Sequence, residues 1–376
     1  MPVTVNEINT YADMQGIRSA WIELRQAIGN QRICTHPDWV RATRFLPNQG
    51  KLIILTAFEG ATLIGLAPML LRDFRYRGIR LRKIEFVGHT SVNDFLVRER
   101  REEIVRAFLH RLCGLGRERP WDFLELARIR REEPTLDPIR GAIRALRLQP
   151  YEIEDHPDAI CILDNWDAYV ARRSKHFMKE LRGRENRLER LGNVSVMRYS
   201  GLEDRFEDPA SQKKLERMFR AAIECARNSW QGHATEGSAI SDENAYRFFR
   251  EVIFSFASMN MLLFHVLFSG DVPIAFDLSF MDGPLITDYK TGYHQEYKRC
   301  GPGAHMFKTV LEYACARGIP YLDLMGIEKG QEYKYRLADE IHRTTRVTAF
   351  NRTVNGSLAR LVMKGVVPRV KRLVRG

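Results

Sequence analysis

Cysteine is sparse and scattered in this chain of 376 residues. The six stand at positions 34, 113, 161, 225, 300 and 315, with no C-x-x-C pair. That spacing argues against a disulfide framework or a zinc ribbon and suits a reducing compartment. No H-E-x-x-H occurs, so the sequence supports no metal site. No run of about 18 apolar residues is present to suggest a spanning helix. The opening MPVTVNEINTYADMQG lacks the basic-then-apolar layout of a secretory signal. Together these absences predict a cytoplasmic protein.

The chain is 44% hydrophobic and 28% charged, the balance of a folded soluble protein rather than a disordered one. Its length is too great for one ordinary core, and two domains of about 150–200 residues are expected. The formal charge is +12. A basic surface gathers anions (nucleotide cofactors, nucleic acid, anionic lipid) without choosing among them.

Hydrophobic spacing organises the first half. YADMQGIRSAWIELRQAIG reads as a helix, with Ile17, Trp21, Leu24 and Ile28 on one face. KLIILTAFEGATLIGLAPMLLRDF reads as two strands turning at Glu59-Gly60. LRKIEFVG is a strand, REEIVRAFLHRLCGL a helix and WDFLELARI a short buried strand. A connector with a small helix, PIRGAIRALRL, follows.

The second half starts near Tyr151 and opens with a long basic helix, NWDAYVARRSKHFMKELRGRENRLERLG. A strand VSVMRYS comes next, then two helices, the second starting at Ser241-Asp242-Glu243 with capping and acidic groups at its positive end. MLLFHVLFSGDVPIAFDLSFMDGPLITDYKTGY predicts three strands with turns at Gly270 and Gly283. PYLDLMG is a further strand, and EYKYRLADEIHRTTRVTAFN gives a turn and a last strand. Both halves share one grammar: helices, antiparallel hairpin, strand, helix, strand. That order predicts an α/β protein with a mixed sheet of α+β type, built from two copies of one unit. The expected division is 1–150, 151–355 and a basic tail, 356–376.

One junction carries chemistry. In EYKRCGPGAHMFKTVLEYA, Gly301 and Gly303 admit positive φ, Pro302 fixes the backbone between them, and a helix follows. The first N–H groups of a helix lack internal partners, so a strand–glycine loop–helix junction is a ready anion site. Lys298 and Arg299 add cations. The plain alternative is a helix start with no ligand.

The spacing Lys298-x-x-Gly301-x-Gly303 resembles the [Q/R]-x-x-G-x-[G/A] pyrophosphate loop of the GNAT acyltransferase superfamily, with Lys in place of the usual Gln or Arg. The second half resembles the CelD-like and FemAB-like branch of that superfamily through Trp166 and Tyr169, the basic helix, Trp230, GDVPIAFDLSF, the GPG loop, YLDLMG and EYKYRLAD. PDWV, GATLIGLAPMLL and WDFLELARI resemble the branch's N-terminal half.

The resemblance implies two tandem GNAT-like domains, the first degenerate and helping to form an acceptor cleft. The second would bind acyl-CoA, most simply acetyl-CoA, with its pyrophosphate on Lys298, Arg299 and the backbone of Gly301, Gly303 and Ala304. The thioester would lie along LITDYKTGY. The acceptor implied is an amine or sugar, a small molecule or a glycan precursor. The CelD-like resemblance, to a cellulose biosynthesis protein, suggests polysaccharide or cell-envelope work. No DNA partner is implied.

Acyl transfer to nitrogen needs a base and an acid and no metal. Asp323, in an apolar strand, would be desolvated with a raised pKa and suits a base; a structural carboxylate is the alternative. Tyr333 and Lys334 resemble the branch's Tyr-Lys after that strand. Tyr333 would protonate the thiolate, and Lys334 would neutralise a phosphate or an acceptor carboxylate. Trp230, Asp277, Tyr289 and Tyr293 are the expected acceptor-side or pantetheine contacts, with packing roles as the alternative. Asp288 is a further strand carboxylate. Cys300 reads as a spectator thiol, and His233 and His305 as isolated.

Two rival readings stand beside acyl-CoA transfer. A FemAB-like transferase would use aminoacyl-tRNA on a peptidoglycan precursor, the basic helix from Arg172 to Arg190 meeting RNA phosphates. A non-catalytic GNAT-like envelope or membrane scaffold is the third. The tail, with Leu358, Leu361, Val362 and Val366 among six cations and no acid, suits either a solvated helix or contact with the inner, anionic face of a membrane. Pro368 is expected to interrupt it.

Overall fold

The computed structural model describes residues 2–47, 50–88, 92–115, 119–229 and 239–373, the last ten as backbone. The first half runs β1 (Val3–Ile8), α1 (Tyr11–Gly16), α2 (Arg18–Ala27), α3 (Pro37–Ala42), β2 (Lys51–Glu59), β3 (Thr62–Tyr76), β4 (Ile79–Phe86), β5 (Leu96–Val97), α4 (Arg101–Cys113), β6 (Phe123–Arg130), α5 (Leu136–Ala145) and β7 (Gln149–Glu154). The second runs β8 (Asp158–Ile162), α6 (Trp166–Ala171), α7 (Lys175–Glu189), β9 (Val194–Ser200), α8 (Pro209–Arg227), α9 (Glu243–Ser258), β10 (Leu262–Ser269), β11 (Val272–Asp282), β12 (Leu285–Tyr293), α10 (Pro302–Ala316), β13 (Tyr321–Gly326), α11 (Lys334–Leu337) and β14 (Glu340–His342). β15 (Thr344–Phe350) and α12 (Val354–Leu373) close the chain.

Local chemistry sets most boundaries. The Asn165 side chain accepts the Ala168 N–H, and the Ser174 hydroxyl accepts the Phe177 N–H. These two caps split the expected basic helix into α6 and α7. Asp242 caps α9, as its sequence suggests. Gly60, Gly270 and Gly283 take positive φ at the three hairpin turns. Two strands missed in the sequence, β7 and β8, precede the helix that was expected to open the second half. Pro368 does not end α12, which runs on to Leu373. A proline near the end of a terminal helix forfeits one backbone bond, a loss the remaining turns outweigh here.

Two sheets result. The first has the order β1-β2-β3-β4-β6-β15-β7, with β5 on β3; the second has β14-β8-β13-β12-β11-β10-β9. Pairing is antiparallel throughout except once in each sheet, β4 with β6 and β12 with β13. Each parallel pair is only three residues long. Lys83, Ile84 and Glu85 meet Phe123, Leu124 and Glu125; Leu285, Ile286 and Thr287 meet Tyr321, Leu322 and Asp323. Beyond those pairs the strands part, so each sheet holds a splay.

The sheets do not follow the division expected at Tyr151 and residue 355. β15, placed with the second half by its position in the chain, lies in the first sheet between β6 and β7. Its Val347 and Ala349 enter the first core, which gives a buried strand a covered edge. The halves also share apolar packing. Trp39 of α3 sits edge-on to Phe248 at 5.4 Å, Phe280 at 5.7 Å and Tyr289 at 4.7 Å.

Candidate active site

The two splays face each other across a cleft of about 400 Å³. The first half lines it with Glu85, Phe86, Glu125 and Arg128; the second contributes Phe249, Tyr289, Lys290, Met325 and Glu328. Arg128 and Met325 stand on opposing lips, and both hold left-handed backbone, φ 61° and 62°. That conformation is costly for side-chain-bearing residues and persists where neighbours impose it. At Met325 the imposing neighbour is Asp323, whose Oδ1 accepts the Met325 N–H at 2.6 Å. Arg128 reaches Glu328 across the cleft at 2.9 Å.

The β11–β12 register shifts at Leu278/Ser279: Leu278 pairs with Lys290 and Ser279 with Asp288. Tyr289 is therefore the extra residue of a bulge, and its backbone has no ladder partner on β11. The bulge lies beyond Thr287, where β12 has also left β13. Lys290 follows it into the cleft. Burial pushes its ammonium down to about 8, with Glu328 acting the other way.

On the other face of β12 lies the glycine loop. A 3-10 turn, Gln295–Cys300, leads to Gly301, which takes φ 65° and ψ 44° as the N-cap of α10. A Cβ at Gly301 would lie 2.7–2.9 Å from the Arg184 stem on α7. One at Gly303 would lie 3.3 Å from the Tyr293 ring. The cradle is narrower than expected. The Gly301 N–H donates to Lys298 O, and Ala304 and His305 both donate to Gly301 O. The Gly303 N–H has no partner among the described residues. Lys298 and Arg299 are exposed and, among the described residues, form no ion pair.

The matching junction in the first half is built against an anion. Arg100 caps α4 with the same left-handed backbone, φ 53° and ψ 38°. Its guanidinium bonds Glu103 twice at 2.8 Å and Glu59 at 2.7 Å. Glu102 and Glu103 then fill the first turn, placing negative charge where a phosphate would need donors.

The expected catalytic groups separate by face. Asp323 is buried on the side of its strand turned to the first half. Burial pushes it up to about 7, Asp158 adds to the rise, and Arg130 and Arg32 oppose it. Lys334 is 8% exposed, its Nζ bonding Gly326 O and Gln331 Oε1, both at 2.9 Å. Its ammonium is lowered by burial against the pull of Asp288, Asp323, Asp158 and Glu328, and its two bonds fasten the segment after β13 to the end of that strand. Tyr333 is half exposed, and its phenol is raised by desolvation and then by Asp288, Asp277 and Tyr293. Asp277 is 1% exposed on β11, reaching outward only through Asp288. Tyr289 packs on Trp39, and Tyr293 on Gly303. Trp230 and His233 lie outside the described residues. Among the described residues, no group of three or more His, Cys, Asp or Glu is placed to hold a metal ion.

Residues 175–335 match the family model described as an acetyltransferase (GNAT) domain. FemX shares the fold, with a TM-score of 0.58 at 12% identity over 96% of this chain and 100% of that one. So does a tandem GNAT protein from the clavulanic acid biosynthesis pathway, with a TM-score of 0.53 at 12% identity over 93% and 100%. The chain thus shares the fold of a tandem GNAT protein. No curated protein matches it in sequence.

Within the GNAT half, sequence reasoning missed Lys290 and Arg184. Lys290 gains its character from the bulge and from burial, neither visible in LITDYKTGY. Arg184 was one of many cations on a basic helix; only the fold lays its stem on Gly301. For Met325 the signal was present but faint, two residues after Asp323 in YLDLMG.

Proposed function

We propose that this tandem GNAT protein is an N-acyltransferase that moves an acyl group, most simply acetyl, from acyl-CoA to an amine or amino-sugar acceptor. The observation that carries the reading is the bulged, splayed strand β12. It lies between an anion-ready loop on one face and a two-sided cleft on the other. The donor's diphosphate takes the Gly303 N–H with Lys298 and Arg299, and Arg184 flanks Gly301. The thioester carbonyl lies against the unpaired backbone of the Tyr289 bulge, which favours developing negative charge. The acceptor enters the cleft between Arg128 and Met325. Its nitrogen attacks the carbonyl carbon, the C–S bond breaks, and the thiolate takes the Tyr333 proton. Asp323 and Lys334 hold the splay open around that path. A glycan or cell-envelope precursor, handled at the cytoplasmic face of a membrane, is the acceptor class we favour.

Calorimetry with acetyl-CoA tests the donor. Binding is expected for the wild type and is lost in Gly303→Glu, which sets a carboxylate against the diphosphate. A wild type that binds no acyl-CoA overturns the reading.

One observation favours a second reading, the FemAB-like transfer of an aminoacyl group from tRNA. On α7 the acids Glu180 and Glu185 are spent on Arg336 and Lys308. Lys175, Lys179, Arg182, Arg184, Arg187 and Arg190 are left exposed beside the loop. Binding of charged tRNA that weakens steeply with salt would support this donor.

A further inference from the structure

A buried pair of carboxyls sits where β12 leaves β13, and the proposed reaction has so far used neither. The Ser279 hydroxyl donates to Asp277 Oδ1 at 2.6 Å. Asp277 Oδ2 is buried, and among the described residues no donor reaches it. What meets it is the Asp288 carboxyl, brought across from β12 by the Ser279–Asp288 pairing at the bulge. Two acceptors in contact away from water need a proton between them. The ionisable groups around the pair are few. Lys334 and Tyr333 face it from the segment after β13. His265 is the β10 neighbour of Asp277 in register and stays neutral, with Tyr313 of α10 beside it. Among the described residues the environment is thus one carboxyl pair, one ammonium, two phenols and one neutral imidazole.

Resting on the acyl-transfer reading above, we propose that Asp288 is the general base and that Asp277 is a permanently protonated positioning residue, donating its O–H to Asp288. The acceptor attacks as the neutral amine; as the C–N bond forms its nitrogen becomes cationic and gives one proton to the Asp288 carboxylate. As the C–S bond breaks, the thiolate takes the proton of Tyr333, and Tyr333 regains one from Asp288. The pair begins and ends each turnover with the same single proton, so no outside acid or base is consumed. Burial pushes Asp277 well up, with Asp288 adding to the rise. It pushes Asp288 up to about 6, against the pull of Lys334 and the hydrogen bond from Asp277. A base poised near neutrality is the efficient kind. The arrangement also frees Asp323 from catalysis, consistent with its bond to the Met325 N–H.

The test joins a titration to kinetics. Carboxyl carbon resonances of the aspartates, assigned and followed by NMR in the full chain, should show Asp288 titrating near pH 6, distinct from Asp323, and the buried Asp277 still protonated at neutral pH. Asp277→Asn should remove the second signal and leave the first near its place, because the amide still donates. Wild-type Asp277 ionising below pH 6 overturns the proposal, whatever the donor turns out to be. In the transfer assay Asp288→Asn should lose about 10²–10⁴-fold in kcat with little change in KM, and Asp277→Asn, whose amide still donates, should recover most of the kcat that Asp277→Ala loses. Asp277→Ala, lacking the donor, should move the acid limb of the kcat profile to higher pH. An active Asp288→Asn overturns the assignment. Should acetyl-CoA fail to bind, the donor reading falls, the NMR arm still decides the shared proton, and the kinetic arm is run with charged tRNA.

Discussion

His265 shows what one buried side chain costs. It is fully buried on β10, and among the described residues neither ring nitrogen has a hydrogen-bond partner. Burial pushes its pKa down to about 3, and Arg198 adds to the fall. In the unfolded chain it titrates near 6.5. Between those values the unfolded state binds a proton that the folded state refuses, so the wild type loses stability as pH falls from about 6.5 towards 3. His265→Leu removes that linkage. Its stability relative to wild type should improve by about 2 kcal/mol between pH 7.5 and pH 5, from 1.36 kcal/mol per unit over about 1.5 units. Urea denaturation of both proteins at the two pH values measures it, and an unchanged difference would refute it. Gly301 is a second such position. Alanine there must hold φ 65° and displace the Arg184 stem. The backbone term alone is about 1–2 kcal/mol. Gly301→Ala should lower the denaturation midpoint by at least that much, with Gly318→Ala, equally left-handed but open around its Cβ, as the milder control.

The elements show which parts of the sequence were legible. The three hairpin turns could be read because Gly60, Gly270 and Gly283 meet a backbone demand that glycine serves best. The helices α4, α8 and α9 could be read because their apolar residues recur at helical spacing. β7 and β8 could not: QPYEIEDHPDAICI mixes acids and a proline into β7 and sets Pro157 and Asp158 at the start of β8, and their stability comes from β15 and β13 alongside them. Of the candidate site, the sequence offered the loop and an aspartate but not the splay, because the β12–β13 pairing ends at Thr287 and Asp323, where the Asp323 side chain takes the Met325 N–H. That bond yields a test. Asp323→Asn keeps an acceptor for Met325, whereas Asp323→Ala leaves a buried N–H unpaired, a loss of about 1–3 kcal/mol. Activity should survive in the first and fall in the second together with stability. An inactive Asp323→Asn that folds and binds donor normally would restore Asp323 as the base. The folded Asp323 carboxyl is also raised, so it favours the fold fully at low pH, and that contribution is lost as pH rises through about 7. The Asn variant should therefore gain on the wild type across that window.

At the scale of the molecule, the two GNAT-like units are not beads on a string. The chain crosses between sheets twice, from β7 to β8 and from β14 to β15, so the first sheet is completed by a strand distant in sequence. Trp39 of the first half is buried among the aromatic rings of the second. Order along the chain could not reveal this, since sequence gives the elements but not their partners. The consequence is cooperative unfolding. The full chain should melt in one calorimetric transition whose van't Hoff and calorimetric enthalpies agree. Ending the chain after residue 343 removes β15 and strips the shared edge from β6 and β7. That fragment should lose near-ultraviolet dichroism in both halves rather than in the second alone. Ending it after residue 353 removes only α12, whose Ala359 packs on Phe123 and Phe350 while Val354 and Leu361 stay exposed. That variant should fold with a lower midpoint. Two separate transitions in the full chain, or an intact second half in the shorter fragment, would show that the units fold independently and that the insertion of β15 into the first sheet is ornamental. A single transition lost with β15 would mean that the cleft between the splays is held by the same contacts that hold the fold, so its two lips cannot be loosened separately.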